Sequence, residues 1–189
     1  MALNDFTLVG DSQLRRFAKF CGVDDRLCFS GCTISELKIR LKGCGTLPQK
    51  VILLIGTNDL MKSATKENLK KDYISLVKYL LRNCDKIILI VCPIIPRKRN
   101  ELSHWNAVNY LNSLIYSFHN NAKISIIDLK TDRSNMLLKP HFFEKRFYDG
   151  RTDLIHLNRN AFQFLLSHLR NIVNSSWWCC WEFPYLTIG

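Results

Sequence analysis

The chain has 189 residues, 47% of them hydrophobic and 23% charged, which excludes a disordered or low-complexity chain and fits one globular domain. A domain of this length buries roughly 70% of its unfolded surface, so it needs no disulfide or metal staple. Lys and Arg outnumber Asp and Glu by 27 to 16, a formal net charge of +11. That excess suits an anionic partner such as nucleic acid, acidic lipid or a phosphorylated substrate, and equally a plain solubilising surface.

Taken in chain order, Phe6-Thr7-Leu8-Val9 reads as a buried first strand closed by Gly10. Leu14, Phe17, Ala18 and Cys21 recur at helical spacing, predicting a helix over 12–21 with Arg15, Arg16 and Lys19 on its other face. Leu27-Cys28-Phe29 is a short second strand, stopped by Ser30-Gly31. Thr33 and Glu36 have capping-box spacing, so a helix carrying Leu37 and Leu41 starts there. Val51 to Ile55, uninterrupted and closed by Gly56, has the pattern of a central parallel strand.

Leu69, Tyr73, Leu76, Val77, Leu80 and Leu81 form the inner stripe of a long helix. Lys86 to Val91 is a fourth strand, ended by Pro93 and Pro96. A second long helix runs from Ser103 to Phe118, and Ile124 to Ile127 is the fifth strand. The stretch from Lys130 to Thr152 is long and irregular, a length usually associated with function or with a short element of its own. Asn158 starts a last helix. Strands alternating with helices predict an α/β fold, a three-layer α/β/α sandwich around a five-stranded parallel sheet. Residues 1–175 are expected to form one domain. The last residues, 176–189, are a Trp- and Cys-rich tail of no assigned role.

Eight cysteines raise the idea of a disulfide framework, but no charged-then-apolar leader opens the chain. Cys92 lies in an apolar run and Cys84 closes a helix pattern, as small buried hydrophobes do. No Cys-x-x-Cys pair has a matching second pair, which argues against zinc. The longest apolar run, Ile87 to Ile95, is too short to span a bilayer. The expectation is a cytoplasmic, reduced, soluble chain.

Ligands of open parallel sheets bind beyond the carboxyl ends of the strands. Four segments can meet there: Gly10-Asp11-Ser12, Ser30-Gly31, Gly56-Thr57-Asn58-Asp59 and Asp153-Leu154-Ile155-His156. A serine hydroxyl becomes a nucleophile only when an imidazole takes its proton, which assigns Ser12 and His156. Asp153 can fix the tautomer of the imidazole. The N–H groups at the start of the first helix, the Gly31 N–H and the Asn58 amide can stabilise an oxyanion. Each residue also has a bland role. Ser12 makes a good N-cap, Gly31 can merely end a strand, Asn58-Asp59 can be a turn or a cap, and His156 can sit satisfied under the last helix. The four in this order, at matching strand ends, are what favours a site.

These same motifs resemble those of the SGNH (GDSL-type) hydrolase superfamily, over residues 6 to about 174. The resemblance implies a flavodoxin-like fold and ester hydrolysis without metal or cofactor. It also implies Ser12 as nucleophile, His156 and Asp153 as its triad partners, and Ser12, Gly31 and Asn58 as the oxyanion hole. In size and basicity the chain is also similar to the SGNH-like OSK domain of the insect germ-plasm protein Oskar. That domain resembles an enzyme that lost its triad and binds RNA through a basic surface. The chain departs from it by keeping the Ser/Gly/Asn/His set. SGNH-type domains of retroelement proteins are a further likeness.

Basic residues cluster near the same rim: Arg15 and Arg16 one turn beyond Ser12, Arg97-Lys98-Arg99 after the fourth strand, and Lys145, Arg146 and Arg151 before the Asp153 motif. Their expected partners are an anionic ester substrate or RNA; a solvated surface is the alternative. Backbone phosphate contacts would be sequence-independent and salt-sensitive. Phe142, Phe143, Phe147 and Tyr148 could stack on bases or pack the long loop down.

Overall fold

The strands are apolar on both sides, and this sets the layers. In a computed structural model, residues 3–62, 64–90, 101–128, 143–145 and 152–175 are described. Four parallel strands, β1 (Thr7–Gly10), β2 (Lys50–Leu54), β3 (Lys86–Ile90) and β4 (Ile124–Ile127), pair in the order β1-β2-β3-β4. Because successive side chains point to opposite faces, Leu8, Ile52, Leu54, Ile88 and Ile90 enter one core. Val9, Val51, Leu53, Ile87 and Leu89 enter the other.

The first core is closed by α1 (Ser12–Cys21), with Leu14 and Phe17, and by α6 (Arg159–Ser175), with Ala161, Phe162, Leu165 and Leu169. The second is closed by α2 (Ile34–Gly43), α4 (Lys66–Asn83) and α5 (Glu101–Tyr116), through Leu37, Leu41, Leu76, Leu80, Val108 and Leu111. The result is a three-layer α/β/α sandwich. The Thr33–Glu36 capping box forms as the spacing predicts, each partner bonding the other's backbone. No helix among the described residues is long and apolar enough to cross a membrane.

Two expectations change. The predicted strand at Leu27–Phe29 is reduced to a single parallel bridge, Cys28 to Gly10, so among the described residues the parallel sheet has four strands and one bridge where five strands were expected. Three residues at a sheet edge, with a turn on either side, bond the backbone of β1 through Gly10 N–H to Leu27 O and Phe29 N–H to Gly10 O. The stretch read as irregular contributes strand β5 (Phe143–Lys145), which pairs antiparallel with β6 (Thr152–Leu157). Cys92 and the tail 176–189 lie outside the described residues.

This topology places the crevice. From β1 the chain crosses by α1 on one face to the Cys28 bridge, then by α2 on the other face to β2. The direction of winding therefore reverses at β1, and the carboxyl ends of β1 and β2 form the switch point where open sheets bind ligands.

Candidate active site

At the switch point β1 and β2 come unusually close. A Cβ on Gly10 would lie 2.1 Å from the Leu54 carbonyl oxygen, so only glycine fits. The Asp11 N–H then bonds that same carbonyl at 3.2 Å and the chain turns into α1. The N-cap is Asp11, not Ser12: its Oδ1 accepts the Gln13 N–H at 2.9 Å. Asp11 is fully buried, and burial pushes its carboxyl up to about 6 against the opposing pull of the Gln13 N–H. Asp11 Oδ2 and the Thr57 hydroxyl are both buried, and Thr57 joins the Gln13 N–H in opposing the rise. Ser12, freed from capping, is the half-buried first residue of α1, at the positive end of the helix.

The next wall is α3 (Thr57–Met61), a short helix missing from the sequence reading, which starts at Gly56 with φ +120°. A Cβ there would meet Leu111 Cδ2 at 2.6 Å, so glycine is required by conformation and by space. Two consecutive side chains of α3 hold the loop from Gly31 to α2. Asn58 Nδ2 donates to the Cys32 carbonyl at 2.9 Å, and Asp59 accepts the Ile34 N–H at 3.1 and 3.3 Å. One amide N–H of Asn58 is thereby fixed, which orients the other. Gly31 is in the left-handed region at φ +73°. Asp59 is also raised, to about 6, by burial, with the Ile34 N–H opposing.

The third wall is β6. Phe143 pairs with Leu157 and Lys145 with Thr152, so two steps along β5 match five along β6. Asp153 and His156 both lie within this bulge, a device that re-aims side chains. Next to it, Gln13 Oε1 accepts the Leu157 N–H at 3.1 Å. The residue after Ser12 is thus bonded to the residue after His156. His156 is half-buried, and Asn158 caps α6 by accepting the Asn160 and Ala161 N–H groups at 3.0 and 3.2 Å.

Ser12, Gly31 and Asn58 therefore surround the switch point, and His156 is anchored to it through its neighbour. Asp153 shares the His156 strand; its side-chain contacts lie outside the described residues. Arg15 and Arg16 are exposed, and Arg15 pairs with Asp25 at 3.3 Å. Lys145 is placed by its backbone only, and Arg97, Lys98, Arg99, Arg146 and Arg151 lie outside the described residues. The sequence reading has Asp59 only as a turn or cap residue in its motif and gives Gln13 no role. Gln13 had a signal, since it precedes Phe17 by four residues and so falls on the apolar stripe. Among the described residues no group of three His, Cys, Asp or Glu side chains is placed to hold a metal.

The fold is that of SGNH hydrolases. The OSK domain of Drosophila Oskar superposes with a TM-score of 0.73 at 21% identity, covering 90% of this chain and 88% of that one. A GDSL-like lipase from Bacteroides thetaiotaomicron superposes with a TM-score of 0.67 at 16% identity, covering 90% and 88%. The lipase/acylhydrolase from Enterococcus faecalis gives 0.63 at 16% identity, covering 90% and 95%. No curated protein sequence matches. Residues 3–136 match the OSK domain, and the chain belongs to the OSK domain family.

Proposed function

We propose that the chain is an SGNH-type serine ester hydrolase with Ser12 as nucleophile and His156 as its base. The observation that carries this reading is the Gln13–Leu157 bond, which draws the neighbours of those two residues together at the switch point. In this reading Ser12 Oγ attacks the carbonyl carbon of an ester while His156 takes its proton. The oxyanion forms against the N–H groups of Ser12 and Gly31 and the second N–H of Asn58. His156 then gives its proton to the leaving alcohol, and a water activated by the same imidazole releases the acid. Asp153 has the orienting role toward His156. The structural likeness to a GDSL-like lipase from Bacteroides thetaiotaomicron and a lipase/acylhydrolase from Enterococcus faecalis supports the same chemistry.

The test is hydrolysis of short-chain p-nitrophenyl esters. Turnover by the wild type that is abolished in Ser12→Ala supports the reading; equal rates for the two, or none for either, reject it.

Family membership and the +11 charge favour a second reading, an RNA-binding module with a basic surface. It expects RNA crosslinking that survives Ser12→Ala, weakens steeply with salt, and falls when Arg97, Lys98 and Arg99 are neutralised. Absence of RNA affinity at low salt rejects it. An active site and a basic rim can share one face, so the two readings are compatible.

A further inference from the structure

A glutamine is an odd residue to find where Gln13 stands. It is 1% exposed, on the helical stripe it shares with Leu14, Phe17 and Ala18, all of them buried and apolar. A buried side-chain amide is unfavourable unless it is hydrogen-bonded, whereas an apolar side chain of the same length would fill the space with no such requirement. The amide must therefore be read by its bond. Its oxygen accepts from the backbone of Leu157, 144 positions away in sequence.

What that bond holds is the end of β6, at Leu157, just past the register shift in its ladder to β5. Along β6 the ladder to β5 is interrupted between Thr152 and Leu157, the stretch that includes His156. A bulged strand leaves backbone groups without ladder partners and lets the chain choose a new direction. Gln13 adds a bond from outside the hairpin at Leu157, where the ladder to Phe143 resumes. Consecutive Cα atoms are about 3.8 Å apart, so fixing Gln13 against Leu157 fixes Ser12 and His156 relative to each other with one residue of slack on each side.

Resting on the hydrolase reading above, we infer that Gln13 is a positioning residue, whose side-chain oxygen holds the His156 strand in reach of Ser12. It touches no reacting atom. It acts by setting the distance over which the proton passes, and a displacement near 1 Å at such a step lowers a rate by about 100-fold.

The experiment compares Gln13→Met, which keeps length and loses the acceptor, with Gln13→Glu, which keeps an acceptor oxygen. For ester hydrolysis, Gln13→Met is expected to lower kcat about 100-fold with KM little changed, and Gln13→Glu to recover most of that loss. The His156 imidazole NMR signal, assigned with His156→Ala, gives a readout independent of turnover. Ser12→Ala should shift the His156 signal in the wild-type background and leave it unmoved in the Gln13→Met background. If Gln13→Met does not fold, Gln13→Asn, whose amide is too short to reach Leu157, serves in its place. A Gln13-dependent NMR coupling in a protein that hydrolyses nothing would sink the hydrolase reading and leave the positioning role standing. An equal Ser12→Ala shift in both backgrounds, or an unchanged kcat in Gln13→Met, overturns the positioning role.

Discussion

The loop that carries Gly31 and the strand that carries His156 reach the same rim from opposite sides, and they are held differently. The loop is fastened at two adjacent points by Asn58 and Asp59, and the helix it leads into is closed by a capping box. The strand departs from its hairpin partner in a bulge and is tied to α1 by Gln13 Oε1. In the proposed hydrolase, the oxyanion side is therefore set by two bonds from adjacent residues. The base side depends on a contact that forms only when distant parts of the chain have packed. Damage to the first should be graded and damage to the second abrupt.

Breaking the oxyanion side at its reacting group should have the largest effect. Asn58→Ala removes a donor and a loop anchor together, and kcat for ester hydrolysis should fall about 10²–10³-fold. Asp59→Ala leaves Gly31 in place but orphans the Ile34 N–H, at a cost of about 1–3 kcal/mol read as a lower urea midpoint. The graded expectation fails if Asp59→Ala lowers kcat as far as Asn58→Ala does.

The buried acids give the comparison a pH dependence. Asp11 and Asp59 both have carboxyls raised to about 6, from an ordinary value of 3.8. Between these values the native chain holds protons that the unfolded chain has released, so their contribution to stability is full below pH 3.8 and is lost as the pH rises through 6. Asp11→Asn keeps the Oδ1 that caps Gln13 and removes the charge. Its urea midpoint should gain on that of the wild type as the pH is raised from 4 to 7. A constant difference across that range would show that Asp11 is not the group responsible. The smallest effect is expected at Thr33, where Ala removes half of the capping box for about 1 kcal/mol, with kcat unchanged.

Much of this architecture is legible in the sequence because it is written in local periodicity. The runs at Val51–Ile55 and Ile87–Val91 are apolar without a break, as strands covered on both faces must be. The stripe through Leu69, Tyr73 and Leu76 gives α4, and the Thr33/Glu36 spacing gives the start of α2. The misses are those where tertiary packing decides. Leu27–Phe29 has strand composition but sits at an edge, with one neighbour and room for one bridge. Helix α3 is too short to show a period, and its start depends on a glycine conformation. Of Asp11 and Ser12, both common capping residues, only the backbone shows that Asp11 caps. The position of Gln13 on the apolar stripe marks it as buried, but its partner, Leu157, lies too far along the chain for the sequence to show.

Within the proposed site, the motifs point to Ser12, Gly31, Asn58 and His156 because each follows or precedes an element at the carboxyl rim. They do not reveal how each residue is held. Residue types at strand ends are a local property, whereas the anchoring of His156 is a long-range one.

The most direct measurement is the site of attachment of a fluorophosphonate probe, located by mass spectrometry in the wild type and in His156→Ala. The account predicts one adduct, on Ser12, formed rapidly by the wild type and at least about 10²-fold more slowly without the imidazole. An unlabelled Ser12, or labelling that proceeds equally well without His156, would contradict it.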